Sequence, residues 1–311
     1  MDNSNVTIIV VHRGNQEYLR DALRCARKAG NSVVLIGDQT NSEDVQWVNY
    51  LSCRSDAYDE FAKIYEHMSS NPYKFELICF ERYFLTYSYM KQNHLSDCVM
   101  MDSDVCLYEK ITKNLFCEVD LAISIPEQKT QYTMSASAHF SYWTLKAMEA
   151  MLEYLIWAYK NKLSDIYEKW EWHKETSTPG GICDMTLLYL FARQYQGNVM
   201  NTDEMISPML FDQVMSDYRN HNIEFETMKN GHTKAVFKNG KGKMCYKAVG
   251  GELYPVLYIH AQGGDKRYIY AVSRKKTGTV WLEIGNFKFW INRIYEKIMR
   301  CVGIEKRFNW K

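Results

Sequence analysis

The residues best suited to chemistry fall in three short stretches. Asp102-Ser103-Asp104 places two carboxylates one residue apart, directly after an apolar run. Side chains so spaced can turn to the same side and chelate one hard divalent cation, which can in turn grip a diphosphate. With sixteen Asp in the chain, about 0.8 Asp-x-Asp matches arise by chance, so the tripeptide gains its weight from its place after a strand. His260-Ala-Gln-Gly263-Gly264-Asp265-Lys266 is rarer; a His-x-x-Gly-x-x-Lys match is expected roughly 0.03 times in such a composition. In it a His offers a nitrogen ligand, glycines let backbone approach phosphate, and a Lys sets a positive charge on that phosphate. The third stretch, Pro179-Gly-Gly-Ile-Cys-Asp184, is a glycine-rich turn with a carboxylate near a helix start. The helix dipole favours negative charge there, and service as a plain N-cap is the alternative.

These stretches need elements to hold them. Val6–Val11 is a continuous β-branched run of the kind buried on both faces of a sheet. The spacing then predicts a helix over Gln16–Ala29 ended by Gly30, and a second buried strand over Ser32–Gly37 that stops at Asp38. This is a βαβ unit, so the sheet is parallel there with a right-handed crossover. A helix is predicted over Glu76–Asn93, a strand over Asp97–Met101 that runs into Asp102, and another over Asp120–Ile125. An amphipathic helix is predicted over Tyr142–Leu163, with Leu145, Met148, Leu152, Ile156 and Tyr159 as its core stripe. Then come a helix over Asp184–Tyr195, a hairpin over Phe237–Ala248, a strand over Tyr254–His260 and a last helix over Asn286–Cys301. Ligands of open α/β sheets bind beyond the carboxyl ends of strands, where Asp102, Asp104 and His260 stand.

In motif order, from about residue 6 to 268, the chain resembles a GT-A glycosyltransferase, most similar to the retaining, metal-dependent family 8 type. The resemblance rests on the βαβ start, a helix with Arg82, the apolar strand into Asp102-x-Asp104, and the late His260-x-x-Gly263-x-x-Lys266. It implies an α/β fold with a mixed sheet flanked by helices: a catalytic domain over 1–268, its donor part about 1–125 and acceptor part about 126–268, and a basic helical extension over 269–311. It also implies that Asp102, Asp104 and His260 hold Mn²⁺ or Mg²⁺ and that Asp102 touches the donor ribose as well. Lys266 would hold the donor diphosphate. Val11, His12, Arg13 and Asp38 fall where such enzymes hold base and ribose, and Arg82 where one reaches the donor. Asp184 falls near sugar and acceptor, as a stabiliser of an oxocarbenium-like transition state or as a base. His139, Trp143 and Trp172 are candidates for stacking on sugar rings, with burial as the alternative. The implied reaction moves a sugar from a nucleotide diphosphate, a UDP-sugar, to a glycan or lipid-linked acceptor, as in surface polysaccharide assembly.

Composition sets the bounds. The 311 residues carry 38 Lys and Arg against 37 Asp and Glu, which excludes a uniformly basic nucleic-acid binder. The near balance conceals an asymmetry. Residues 1–228 hold 20 basic against 32 acidic side chains, and residues 229–311 hold 18 against 5. Asn286–Lys311 combines an apolar face (Phe287, Ile291, Ile294, Ile298, Val302) with Lys288, Arg293, Lys297 and Arg300, a candidate for peripheral contact with an anionic membrane. Docking on the protein's own sheet is the alternative. Nine scattered cysteines without a CxxC pair read as reduced thiols, and no apolar run reaches the length of a membrane span. The expected location is therefore cytoplasmic, at the inner face of the cell membrane if the helix binds lipid. Two other functions fit parts of the pattern. A haloacid-dehalogenase-type phosphatase would use Asp102 as nucleophile, but there the motif opens the domain and a later Asp-Asp pair follows, and this chain has neither. A non-catalytic sugar-nucleotide binder would share the fold and lack turnover.

Overall fold

The computed structural model describes residues 5–42, 46–204, 209–217, 219–220 and 222–301. The chain opens with β1 (Ile8–His12), α1 (Glu17–Lys28) and β2 (Val33–Gly37), and β1 and β2 pair in parallel from Ile8↔Val33 to His12↔Gly37. Alternate residues of these strands face opposite cores. Ile9, Val34 and Ile36 point into one, while Ile8, Val10, Val33 and Leu35 point into the other with Leu19 and Leu23 of α1. That is why the runs are apolar without alternation: both faces are covered. β3 (Gln46–Asn49) adds a parallel edge, followed by α2 (Asp56–Ile64), α3 (Tyr73–Gln92) and β4 (Asp97–Met101), which pairs in parallel with β1.

After β4 the chain changes sheet. A turn closed by Val105 N–H on the Asp102 carbonyl, 3.2 Å, leads into β5 (Val105–Leu107), which belongs to a second sheet. The chain returns to the first through β6 (Leu121–Ser124) and β7 (Ser137–Thr144), then runs through α4 (Leu145–Lys160), α5 (Ser164–Glu175), α6 (Asp184–Gln194) and β8 (Val199–Asn201). The first sheet has the order β3-β2-β1-β4-β7-β6-β8, with β7 antiparallel to both its neighbours. Next come β9 (Leu210–Phe211), a small hairpin of β10 (Arg219–Asn220) and β11 (Ile223–Glu224), then β12 (Val236–Lys238), β13 (Met244–Lys247) and β14 (Leu253–His260). β12, β13, β14 and β5 form the antiparallel path of the second sheet, and β9 joins β14 in parallel. α7 (Ile269–Val272) and α8 (Thr279–Cys301) complete the described chain. This is the expected class, a mixed α/β sheet flanked by helices.

Several boundaries move. The helix expected over Tyr142–Leu163 begins at Leu145; Tyr142, Trp143 and Thr144 end β7, where Trp143 is fully buried, and Thr144 caps α4 by accepting the Ala147 N–H. Apolar residues common to strand and helix hid that switch. The stripe itself is core: Met148, Leu152 and Tyr159 are buried. α3 starts three residues earlier than expected, behind Pro72, and α8 starts at Thr279 instead of Asn286. Val302 lies outside the described residues. Cys25, Cys53, Cys79, Cys98, Cys106, Cys117, Cys183 and Cys245 are free thiols.

Candidate functional site

The sheet change after β4 builds the site. Asp102 stands at the end of β4, its N–H bound 2.7 Å from the His139 carbonyl of β7, so the first carboxylate is fixed to the seven-stranded sheet. Asp104 precedes β5, whose antiparallel register sets His260 opposite Val105; the Asp104 carbonyl also accepts the Ala261 N–H at 3.0 Å. Strand pairing thus brings residues far apart in sequence side by side. One ligand atom from each of Asp102, Asp104 and His260 falls within a 4.8 Å group.

The backbone and Nδ1 of His260 are held by the segment after β9. Its N–H donates to Asp212 Oδ2 at 2.9 Å, its carbonyl accepts the Met215 N–H at 2.8 Å, and Nδ1 lies 2.5 Å from the Gln213 carbonyl. A carbonyl only accepts, so Nδ1 carries a proton, and once Nε2 gives up its own it turns a lone pair toward the carboxylates. Nε2 stands 3.6 Å from Asp104 Oδ1, too far for a hydrogen bond. That Oδ1 is buried and has no hydrogen-bond partner. An orphaned carboxylate oxygen facing an imidazole nitrogen fits a divalent cation, which would satisfy both.

Lys266 places Nζ 3.2 Å from Asp104 Oδ2 and 5.0 Å from the centre of the Tyr18 ring. Burial acts against the charge of Asp104, yet the facing His260 and Lys266 outweigh it and hold this carboxyl well below the ordinary value. Burial pushes Asp102 the other way, opposed by Arg82 and reinforced by the charge of Asp104. Two adjacent carboxylates are thereby pushed apart, Asp104 ionising first.

Arg82 of α3 bridges two of the named acids. Its Nη1 donates to Asp102 Oδ1 at 2.7 Å and its Nη2 to Asp184 Oδ2, which also accepts the Tyr83 hydroxyl at 3.2 Å. Asp184 is the first residue of α6, with Cys183 at the N-cap, so its carboxylate is engaged by Arg82 instead of capping the helix. The glycine turn before it is required by space: at Gly181, with φ of +139°, a Cβ would lie 2.2 Å from the Met68 carbonyl oxygen.

The other named residues line the β1 end or leave it. Asp38 accepts from the Gly14 N–H at 2.9 Å and from the Thr40 N–H at 2.8 Å, and these donors overcome its partial burial to hold it below its usual value. His12 Nε2 lies 2.5 Å from Gln16 Oε1; burial, with Lys266 nearby, pushes it down. Arg13 is taken up by Glu81 and by the Tyr50 ring, whose centre lies 4.1 Å from its guanidinium carbon. Val11 packs against the core beside β2. Of the aromatic candidates, His139 and Trp143 are buried, and Trp172 stacks on Tyr132 with centroids 5.5 Å apart.

Sequence reasoning missed the support. Asp212 and Lys234 form a fully buried ion pair, 2.7 Å, and Asp212 also accepts the Tyr246 hydroxyl at 2.8 Å. His139 lies against His260 and directs Nε2 to the Asp212 carbonyl, 3.1 Å, and the Tyr258 hydroxyl, 3.0 Å. A lone Asp at a strand end and a Lys in a polar loop carry no local pattern, so nothing in the sequence marked either.

No family model matches the chain, and no curated protein matches it. Among solved structures, the apo form of mouse xyloside xylosyltransferase 1 aligns with 10% identity and a TM-score of 0.44, over 65% of this chain and 86% of that one. A glycosyltransferase involved in the glycosylation of the major capsid of PBCV-1 aligns with 11% identity and a TM-score of 0.34, over 64% and 82%. Likeness at this level says nothing of the chemistry of this chain, which rests on the residues themselves.

Proposed function

We propose that the protein is a GT-A glycosyltransferase of the family 8 type that moves a hexose, with retention, from a UDP-sugar to a glycan or lipid-linked acceptor in surface polysaccharide assembly, such as that of capsule or lipopolysaccharide. The observation that carries this reading is the meeting of Asp102, Asp104 and His260 in one 4.8 Å group with Lys266 on its rim. Mn²⁺ or Mg²⁺ held there would neutralise the charge that grows on the departing diphosphate. Lys266, now on Asp104, would turn to the diphosphate and add a fixed positive charge. Asp102, Asp38, His12, Val11 and Arg13 would hold nucleoside and ribose, the last after leaving Glu81. In the transfer, the bond from the sugar's anomeric carbon to the diphosphate oxygen breaks and one to the acceptor oxygen forms, the acceptor's proton leaving to a base. Asp184, held in place by Arg82 and Tyr83, would stand beside the sugar and stabilise positive charge at that carbon.

Thermal-shift screening of nucleotide sugars with and without Mn²⁺ tests the donor, since a ligand that binds the folded state raises its apparent stability. The expected result is a shift for UDP-sugars that depends on the metal, and metal-dependent donor hydrolysis that is lost in Asp104→Ala and His260→Ala. Retained hydrolysis in both folded variants overturns the metal assignment; tight donor binding with no turnover on any acceptor would make the protein a binder.

A further inference from the structure

The last helix is attached by one end and bare along most of its length. In the first turns of α8, Leu282 is buried, and Gly285 lies so close to the body that an added Cβ would stand 3.3 Å from the Arg267 carbonyl and 3.5 Å from Ala271 Cβ. Beyond that seat large apolar side chains turn outward: Phe287 is 69% exposed, Ile294 58% and Ile298 55%, with Ile284 and Ile291 close to half exposed. Positions 284, 287, 291, 294 and 298 alternate in steps of three and four, so they form one continuous face. A patch of that extent on a soluble protein marks an interaction surface.

We propose that this face docks on an anionic lipid bilayer, α8 lying in the plane of the headgroups. Two observations choose lipid over a second copy of the chain. Trp281, Trp290 and Tyr295, all partly exposed, edge the isoleucine row with the amphipathic rings that favour a membrane interface. The charge is complementary to lipid and not to itself: α8 has Lys288, Arg293, Lys297 and Arg300 against Glu283 and Glu296, inside a segment of 18 basic and 5 acidic residues. Two such helices facing each other would repel, whereas anionic headgroups attract both. Among the described residues no helix is long and apolar enough to cross a membrane, so the contact is one of lying on the surface.

The seat of α8 gives the docking a use. It rests on α7 and on the Gly263–Tyr268 segment that carries Lys266, so the surface-bound helix and the candidate diphosphate contact share one support. That use, holding the site over a lipid-linked acceptor, rests on the proposed transfer; the docking itself does not. The test is co-sedimentation of the full chain with vesicles of phosphatidylcholine alone or with about 30% phosphatidylglycerol, in low and high salt. Wild type is expected to sediment with the anionic vesicles in low salt and roughly tenfold less with neutral vesicles or in high salt. Phe287→Ser/Ile291→Ser/Ile294→Ser should abolish sedimentation with an unchanged melting temperature, and Arg293→Glu/Lys297→Glu should remove the preference for anionic lipid. No sedimentation in low salt overturns the proposal, as does an unaffected triple variant. So does a concentration-dependent dimer by light scattering that the triple variant loses while wild type ignores vesicles. None of these readouts needs turnover, so they stand or fall apart from the transferase reading.

Discussion

The imidazole of His139 lies flat on that of His260, with centroids 4.2 Å apart and planes 5° from parallel. Burial first, and the neighbouring His260 second, push His139 well below its ordinary value, so it stays neutral and serves as a fixed plate behind the candidate ligand. Removing the plate should loosen His260 without touching the ion. His139→Ala is expected to weaken Mn²⁺ binding about 10- to 100-fold, as loss of an outer-shell partner commonly does, measured by isothermal titration. Unchanged affinity would remove His139 from the site.

In metal-free protein the pH dependence has a definite sign. Burial opposes the charge of His260, but Asp104 and Asp102 overcome it and raise the imidazole above its ordinary value of 6.5. A raised His contributes stability that is present below 6.5 and is lost as pH climbs through the raised folded value. Melting temperature in EDTA should therefore fall from about pH 6 toward pH 9, with a smaller fall in His260→Gln. Saturating Mn²⁺ takes the proton's place and should remove the slope; equal slopes in wild type and His260→Gln would refute the pairing.

Arg82 serves two acids at once, and Asp184 is buried. Arg82→Ala leaves that carboxylate without its cation, and an unpaired buried charge costs about 3–5 kcal/mol. Urea unfolding should show the loss. Arg82→Lys should keep the charge and recover part of the stability, but it cannot span both carboxylates with a planar fork, so donor affinity should stay reduced.

The Asp212–Lys234 pair separates support from stability. Lys234→Met should lower stability by about 3–5 kcal/mol by stranding a buried carboxylate. Adding Asp212→Asn removes that charge and still leaves an acceptor for the His260 N–H, so the double variant should recover most of the loss in urea melts. If the double variant is as unstable as the single, the pair is not the source of the cost.

The first carboxylates, the His and the Lys were legible because each follows an apolar strand or sits in a rare string, and local sequence suffices for that. The βαβ start was legible for the same reason, its apolar runs being buried on both faces. What escaped is long-range. β7 looked like the start of a helix because Tyr142, Trp143 and Leu145 suit either state, and only pairing with β4 and β6 decides it. Asp212 and Lys234 acquire meaning only when β14 brings His260 to them. Arg13 follows β1 directly, yet its side chain pairs with Glu81, a partner 68 residues away.

Asp102 follows a strand of the seven-stranded sheet and His260 ends a strand of the five-stranded one. Whatever grips both side chains rivets two sheets across their seam, and the tilt between those sheets becomes a property of the bound state. Amide exchange in β12 and β13 should then slow on ligation, although neither strand supplies a ligand. The hairpin end of the protein would report on occupancy at a distance.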